Sequence, residues 1–223
     1  MIGSIAVLSI LLLIPSPETT EVYIDLQCEH YPVPDLDFSD PQTKNTLIVW
    51  QKDRLLTWGD FRGVPIEGPK IDACTHTWVG YSWNFEILNN SSLFKINKID
   101  STAYFRMSDS WVMSSVFDLE DQIKIRKLKH EQGHFDIAAK YSIITKQNFT
   151  QQFVGKTFPV TGSTYQEQSD NADLLIGSML KQEWDKIYYD WNYYEGEYDK
   201  QTDHMWNFEI QDRYSNEFDS LRN

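Results

Sequence analysis

An α+β domain, with a twisted antiparallel sheet followed by long helices, is the fold class this sequence predicts. Three observations carry that expectation. Residues 46–112 are crowded with short β-branched and aromatic runs broken by turn signals. After Asp118 those runs stop and apolar residues recur at helical spacing. Strands and helices are therefore segregated along the chain instead of alternating, and no internal repeat intervenes.

The elements follow in order. "MIGSIAVLSILLLIPSPETT" carries an apolar run, Ile5 to Ile14, closed by a proline break. That run is too short for a bilayer core of about 30 Å and predicts a signal peptide over residues 1–20, with a retained N-terminal anchor as the alternative. Neither a basic residue before the run nor an A-x-A site after it supports cleavage. Residues 21–223 are expected to form one domain, secreted or periplasmic. Residues 21–45 suggest a strand and then irregular, proline-broken chain. "TLIVW", "THTWVGYSWNFEIL", "SLFKINKI" and "TAYFRMSDSWVM" are the predicted strands, with turns expected at Asn89–Ser92 and Asp100-Ser101. Asp118 is a plausible N-cap for a long helix holding Leu128, Phe135, Ala138 and Ala139. A polar connection leads to a second helix with Leu175, Met179, Leu180, Trp184 and Tyr188 at helical spacing. The loop "EGEYDKQTD" is then expected before a last helix capped by Asp203.

Composition narrows the function. The net charge is −13 with a pI near 4.7, and lysines and arginines form no basic stripe, which argues against nucleic acid as a partner. A hydrophobic content of 41% is enough to fill a core. The two cysteines, Cys28 and Cys74, are expected to pair in an exported chain, with two buried thiols as the alternative.

The specific signal is "RKLKHEQGHFDIAAKY". His130 and His134 are four residues apart, about 40° around a helix, so both imidazoles project from one face one turn apart. That suits a single zinc ion, with Glu131 beside it as general base. Composition alone would produce such an HExxH pattern far less than once in this chain. The competing reading is a solvated histidine pair on an amphipathic helix. Gly133, between the histidines, costs about 1 kcal/mol of helix propensity and leaves room for another segment to approach.

A catalytic zinc takes three protein ligands and leaves one position for water. His30, His76 and His204 remain, and Glu167, Glu183, Glu195 and Glu197 also qualify as carboxylate ligands. His204 is favoured by its place at a loop-to-helix boundary, where Asp199, Thr202 or Asp203 would orient its second ring nitrogen. Glu183 and Glu167 are the main alternatives.

"LLTWGDFRGVP", "DACTHT", "SDSWV", "LKHEQGHFDIAAKY" and "YDKQTDHMWNFEIQ" together resemble a family of exported bacterial proteins catalogued as domain of unknown function nine-two-two. The family is regarded as predicted zinc-dependent peptidases with a zincin-like site. The resemblance implies a zincin-like fold and a zinc ion held by His130, His134 and His204, with Glu131 as the acid. Met205 stands where the family tends to have glycine.

The resulting expectation is hydrolysis of a peptide or protein substrate. Zinc would activate a water, and Glu131 would take its proton and pass it to the leaving amine. "TAYFRM" would offer an edge for an extended peptide, and Tyr198, Tyr214 or His76 a second oxyanion donor. Asp136 would face away from the metal as a cap or salt-bridge partner. Trp184, Tyr188, Tyr189, Trp191, Tyr193 and Tyr194 are expected to serve packing more than substrate binding. A non-catalytic module with a structural zinc and an amidase of cell-wall peptides are the alternatives.

Overall fold

The computed structural model describes residues 45–65, 72–88 and 92–222. The signal segment, the expected strand after residue 21, His30 and Cys28 lie outside the described residues. Cys74 is buried and is not a free thiol.

The described chain is mixed α+β: an antiparallel sheet followed by three helices. The strands are β1 (Leu47–Val49), β2 (Ala73–Cys74), β3 (Thr77–Ile87), β4 (Leu93–Arg106), β5 (Trp111–Val112) and β6 (Thr157–Pro159). β3 pairs with β4 almost end to end, and β1 and β6 pair with opposite ends of β4 on its other side. β2 and β5 form a separate two-stranded ladder.

β4 corrects one expectation. "SLFKINKI" and "TAYFRM" are a single strand of 14 residues, with no turn at Asp100-Ser101. The polar pair is absorbed by pairing: Asp100 sits opposite Ser82 and binds Lys98 and Lys146, while Ser101 Oγ donates to the Gly80 carbonyl. What does interrupt the strand is a bulge. Asn84 pairs with Lys98 but Phe85 with Ile96, so Asn97 is an extra residue. Buried positions accordingly change phase, from Phe94 and Ile96 to Ile99, Ala103 and Phe105. "TAYFRM" is also no free edge, since it lies between β1 and β3.

The helices are α1 (Asp121–Phe153), α2 (Tyr165–Thr202) and α3 (Phe208–Asp219). α1 begins later than expected. Asp118 ends a 3-10 turn, and Glu120 is the N-cap, without a side-chain cap bond. α2 runs straight through "EGEYDKQTD", where a loop was expected. Its inner face there carries Glu195, Tyr198, Asp199 and Thr202, all buried against the other helices, and tertiary packing overrides the local polarity and Gly196. Asp203 is then the left-handed C-cap of α2, not the N-cap of α3; Asn207 caps α3 through the Ile210 N–H.

α1 packs on the sheet and against the other two helices, and α2 also reaches β3 directly, where Trp83 donates to Asp173. From His130 to Ala139 every residue is buried except His134, which is partly so. Two apolar clusters flank this helix. One gathers Phe105, Phe135, Ile137, Trp191, Tyr198 and Phe218; the other gathers Phe94, Ile96, Ile99, Phe149, Ile176 and Leu180. The four inner aromatics of the expected cluster, Trp184, Tyr188, Trp191 and Tyr194, do pack, while Tyr189 and Tyr193 stand exposed.

Candidate metal centre

A buried helix turn reading His-Glu-Gln-Gly-His-Phe-Asp brings five polar side chains into the interior, where each needs a partner. Each has one. Gln132 accepts from the Leu56 N–H (2.7 Å) and donates to Asp136 (3.1 Å). Asp136 also receives the Trp50 indole N–H at 2.7 Å and pairs with Arg222, the salt bridge expected of it. Glu131 accepts from the Thr75 hydroxyl at 2.7 Å. The two histidines meet α2 and α3.

There His134 Nδ1 lies 2.6 Å from Glu195 Oε2, and His130 Nδ1 lies 3.1 Å from Gln211 Oε1. Both partners are acceptors, so each Nδ1 carries a ring proton, and in the neutral form of each ring Nε2 presents a lone pair. The Gln211 orientation is fixed by its neighbour. Tyr198 donates its hydroxyl to the His130 carbonyl (3.1 Å), so it accepts from Gln211 Nε2 (2.9 Å), which leaves Oε1 for the imidazole.

The two Nε2 atoms converge on Asp199 Oδ1, each at 3.1 Å. Distance alone would fit hydrogen bonds, but the alignment does not, and Asp199 Oδ1 is a buried oxygen without a hydrogen-bond partner. With both rings neutral, two lone pairs would face a carboxylate oxygen, an arrangement that a proton or a metal ion would offset. The wider charge balance agrees. Glu131, Glu195 and Asp199 are all buried acids. Protons meet part of this demand. Burial disfavours a charged His134, yet the Asp199 and Glu195 carboxylates outweigh it and hold the imidazole well above its ordinary value. Burial likewise works to raise Asp199, but His134 and His130 hold it well below the usual carboxylate range.

His130, Asp199 and His204 each offer a ligand atom within 4.8 Å of one another, so this group could hold a metal ion. No family model, curated protein or solved structure matches this chain.

His204 is the outermost member. Its Nδ1 lies 3.8 Å from Asp199 Oδ1, and its side chain is 47% exposed, against 5% for His130 and 9% for Asp199. It sits in a run of three left-handed residues, Asp203, His204 and Met205, with φ of 49°, 47° and 85°. Such backbone costs on the order of 1–3 kcal/mol per residue and clusters at functional sites. Met205 is almost wholly buried, and burial of its side chain offsets part of that cost.

The other ligand candidates are engaged elsewhere. Glu167 closes a capping box with Thr164 at the far end of α2. Glu183 binds Lys186 and Gln152, and Glu197 binds Lys200 and Gln201. Of the proposed oxyanion donors, the fully buried Tyr198 is committed to the His130 carbonyl, and Tyr214 donates to Gln201. The backbone of His76 is paired with Ser110 Oγ and Arg106 N.

Gly133 receives its explanation here. The Tyr198 ring packs directly on it, and a Cβ at that position would come within 2.6 Å of the phenol carbon and overlap the hydroxyl. The same ring stacks on His130 at 4.8 Å with planes 10° apart. Sequence reasoning missed Asp199 as a metal-facing group and Glu195 as the His134 partner. The available signal was their i, i+4 spacing, which mirrors that of the histidines.

Proposed function

We propose that this chain is an exported zinc-dependent peptidase of the HExxH type, related in fold and site to the zincin-like family it resembles. The observation that carries this reading is the convergence of two imidazole Nε2 atoms on the unpaired Asp199 oxygen. Zinc ligands at 2.0–2.1 Å in a tetrahedron lie about 3.3–3.4 Å apart, close to the 3.1 Å spacing here. The donor set of two neutral imidazoles and a carboxylate also suits zinc. His130, His134 and Asp199 would be the inner ligands, with His204 facing the same position.

Zinc held there would acidify a water and polarise a substrate carbonyl. The remaining chemistry belongs to the chain. Glu131, on the histidine-bearing turn, takes the proton from the attacking water as the new C–O bond forms. It returns that proton to the nitrogen as the C–N bond breaks, giving a free acid and an amine. Thr75 holds Glu131 in one rotamer, and Glu195 and Gln211 fix both imidazoles in the Nδ1–H tautomer that leaves Nε2 basic. The substrate is a peptide or protein.

A second reading, a binding module braced by a structural zinc, draws support from His204, because a fourth protein donor would close the site. One experiment separates the two. Zinc is quantified in purified wild type and Glu131→Gln, and both are incubated with a peptide library. A peptidase gives about one zinc per chain in each and cleavage by wild type alone, at least about 1,000-fold faster. Zinc in both with no cleavage by either supports the structural site, and no zinc in either removes both readings.

A further inference from the structure

The distribution of strain and exposure around the cluster separates His204 from its neighbours. Asp203, His204 and Met205 are the only non-glycine residues with positive φ among the described residues, and all three lie beside the metal-facing atoms. The run is pinned at both ends. Thr202 before it and Met205 within it are almost wholly buried, and the His204 N–H is tied to the Asp199 carbonyl at 3.1 Å. The imidazole between these anchors is nonetheless half exposed. It also borders an open cavity of about 560 Å³ alongside α2, which Asp199, Tyr193 and Glu197 help to line.

His204 shares with His130 and Asp199 the group whose ligand atoms lie within 4.8 Å of one another, and zinc held by His130, His134 and Asp199 would keep a fourth position. His204 Nδ1 is the donor nearest to filling it, and it is held less closely than the others, 3.8 Å from Asp199 Oδ1 against 3.1 Å. A permanent structural ligand is buried, donates its other ring N–H to a fixed acceptor and sits on relaxed backbone. His204 has the opposite properties: exposure, a strained left-handed turn and a solvent cavity at its back.

We propose that His204 is a displaceable fourth ligand, closing the zinc shell of the resting protein through Nδ1 and leaving it when a ligand enters from the α2 cavity. This rests on the zinc reading above. Latency follows: the resting chain would hold its metal in a closed shell and protect it from adventitious anions. Such a device also reconciles the two readings of the site, since a closed shell at rest and an open one at work use the same residues.

The test uses the cobalt(II)-loaded full chain, comparing wild type with His204→Ala and with the size-conserving His204→Gln. Cobalt d–d absorption reports the ligand set, chelator competition reports metal affinity, and acetohydroxamate probes access to the vacant position. All three proteins should hold one metal per chain. Both variants should show an altered cobalt spectrum, a loss of metal affinity below tenfold, and acetohydroxamate binding at least tenfold tighter than wild type. An unchanged spectrum would show that His204 is no ligand, and loss of the metal would show that it is a permanent one; either overturns the proposal while leaving a zinc site. A wild type that takes up neither cobalt nor zinc overturns the zinc reading itself, and this inference with it.

Discussion

The two ends of α1 meet the same sheet and the same partner helix, yet they are built from opposite materials. At the far end Phe149 packs with Phe94, Ile96, Ile176 and Leu180, an apolar cluster whose contacts are non-directional. At the near end the helix buries His130, Glu131, Gln132 and Asp136, each of which must be matched by one particular atom elsewhere in the chain. The far end supplies stability with tolerance, and the near end supplies placement at a cost in desolvation. A site of this kind is affordable because a separate region of the same helix anchors the fold.

That division can be broken from either side. The largest expected effect on folding comes from the far end: Phe149→Ala should destabilise the protein by about 3–5 kcal/mol in urea denaturation. The zinc affinity of the folded variant should stay within about threefold of wild type, and a larger change would show that the two ends are coupled. Gly133→Ala comes next. The new methyl group displaces Tyr198 from its stacked position on His130, for a cost of about 1–3 kcal/mol by urea denaturation. Unlike Phe149→Ala, it should also reduce zinc affinity at least tenfold by chelator competition. Glu195→Gln comes last: it leaves one acceptor oxygen for two buried donors, His134 Nδ1–H and Trp191 Nε1–H, and should cost about 1–2 kcal/mol. It removes the charge that holds the His134 tautomer, so zinc affinity should fall about 10–100-fold. Unchanged affinity would show that Glu195 is a packing residue only.

The same contrast explains what could be read from sequence. The far end and most of the sheet were legible because period-2 and helical patterns report burial directly, but Asp100-Ser101 read as a turn where β4 runs on, and the bulge at Asn97 was missed. The histidine pair and Glu131 were legible because helical spacing alone puts them together. Asp199 and Glu195 were not, because "EGEYDKQTD" has the composition of a loop. Its acids are stable inside a helix only when imidazoles face them from another element. Local polarity argued for a turn, and long-range charge compensation won. Likewise Asp203 has the residue type of an N-cap, but the left-handed backbone that ends α2 claims it first.

The Asp136 contact on the back of α1 has a consequence for alignment. Successive residues on a helix differ by about 100° in direction, so a small roll of α1 about its own axis would carry both imidazole tips off target together. Asp136 faces away from the histidine–carboxylate cluster and is fastened to the Trp50 indole and the Arg222 guanidinium, from segments near opposite termini of the described chain. It acts as a keyway: aim at the front of the shaft is set by what grips its rear.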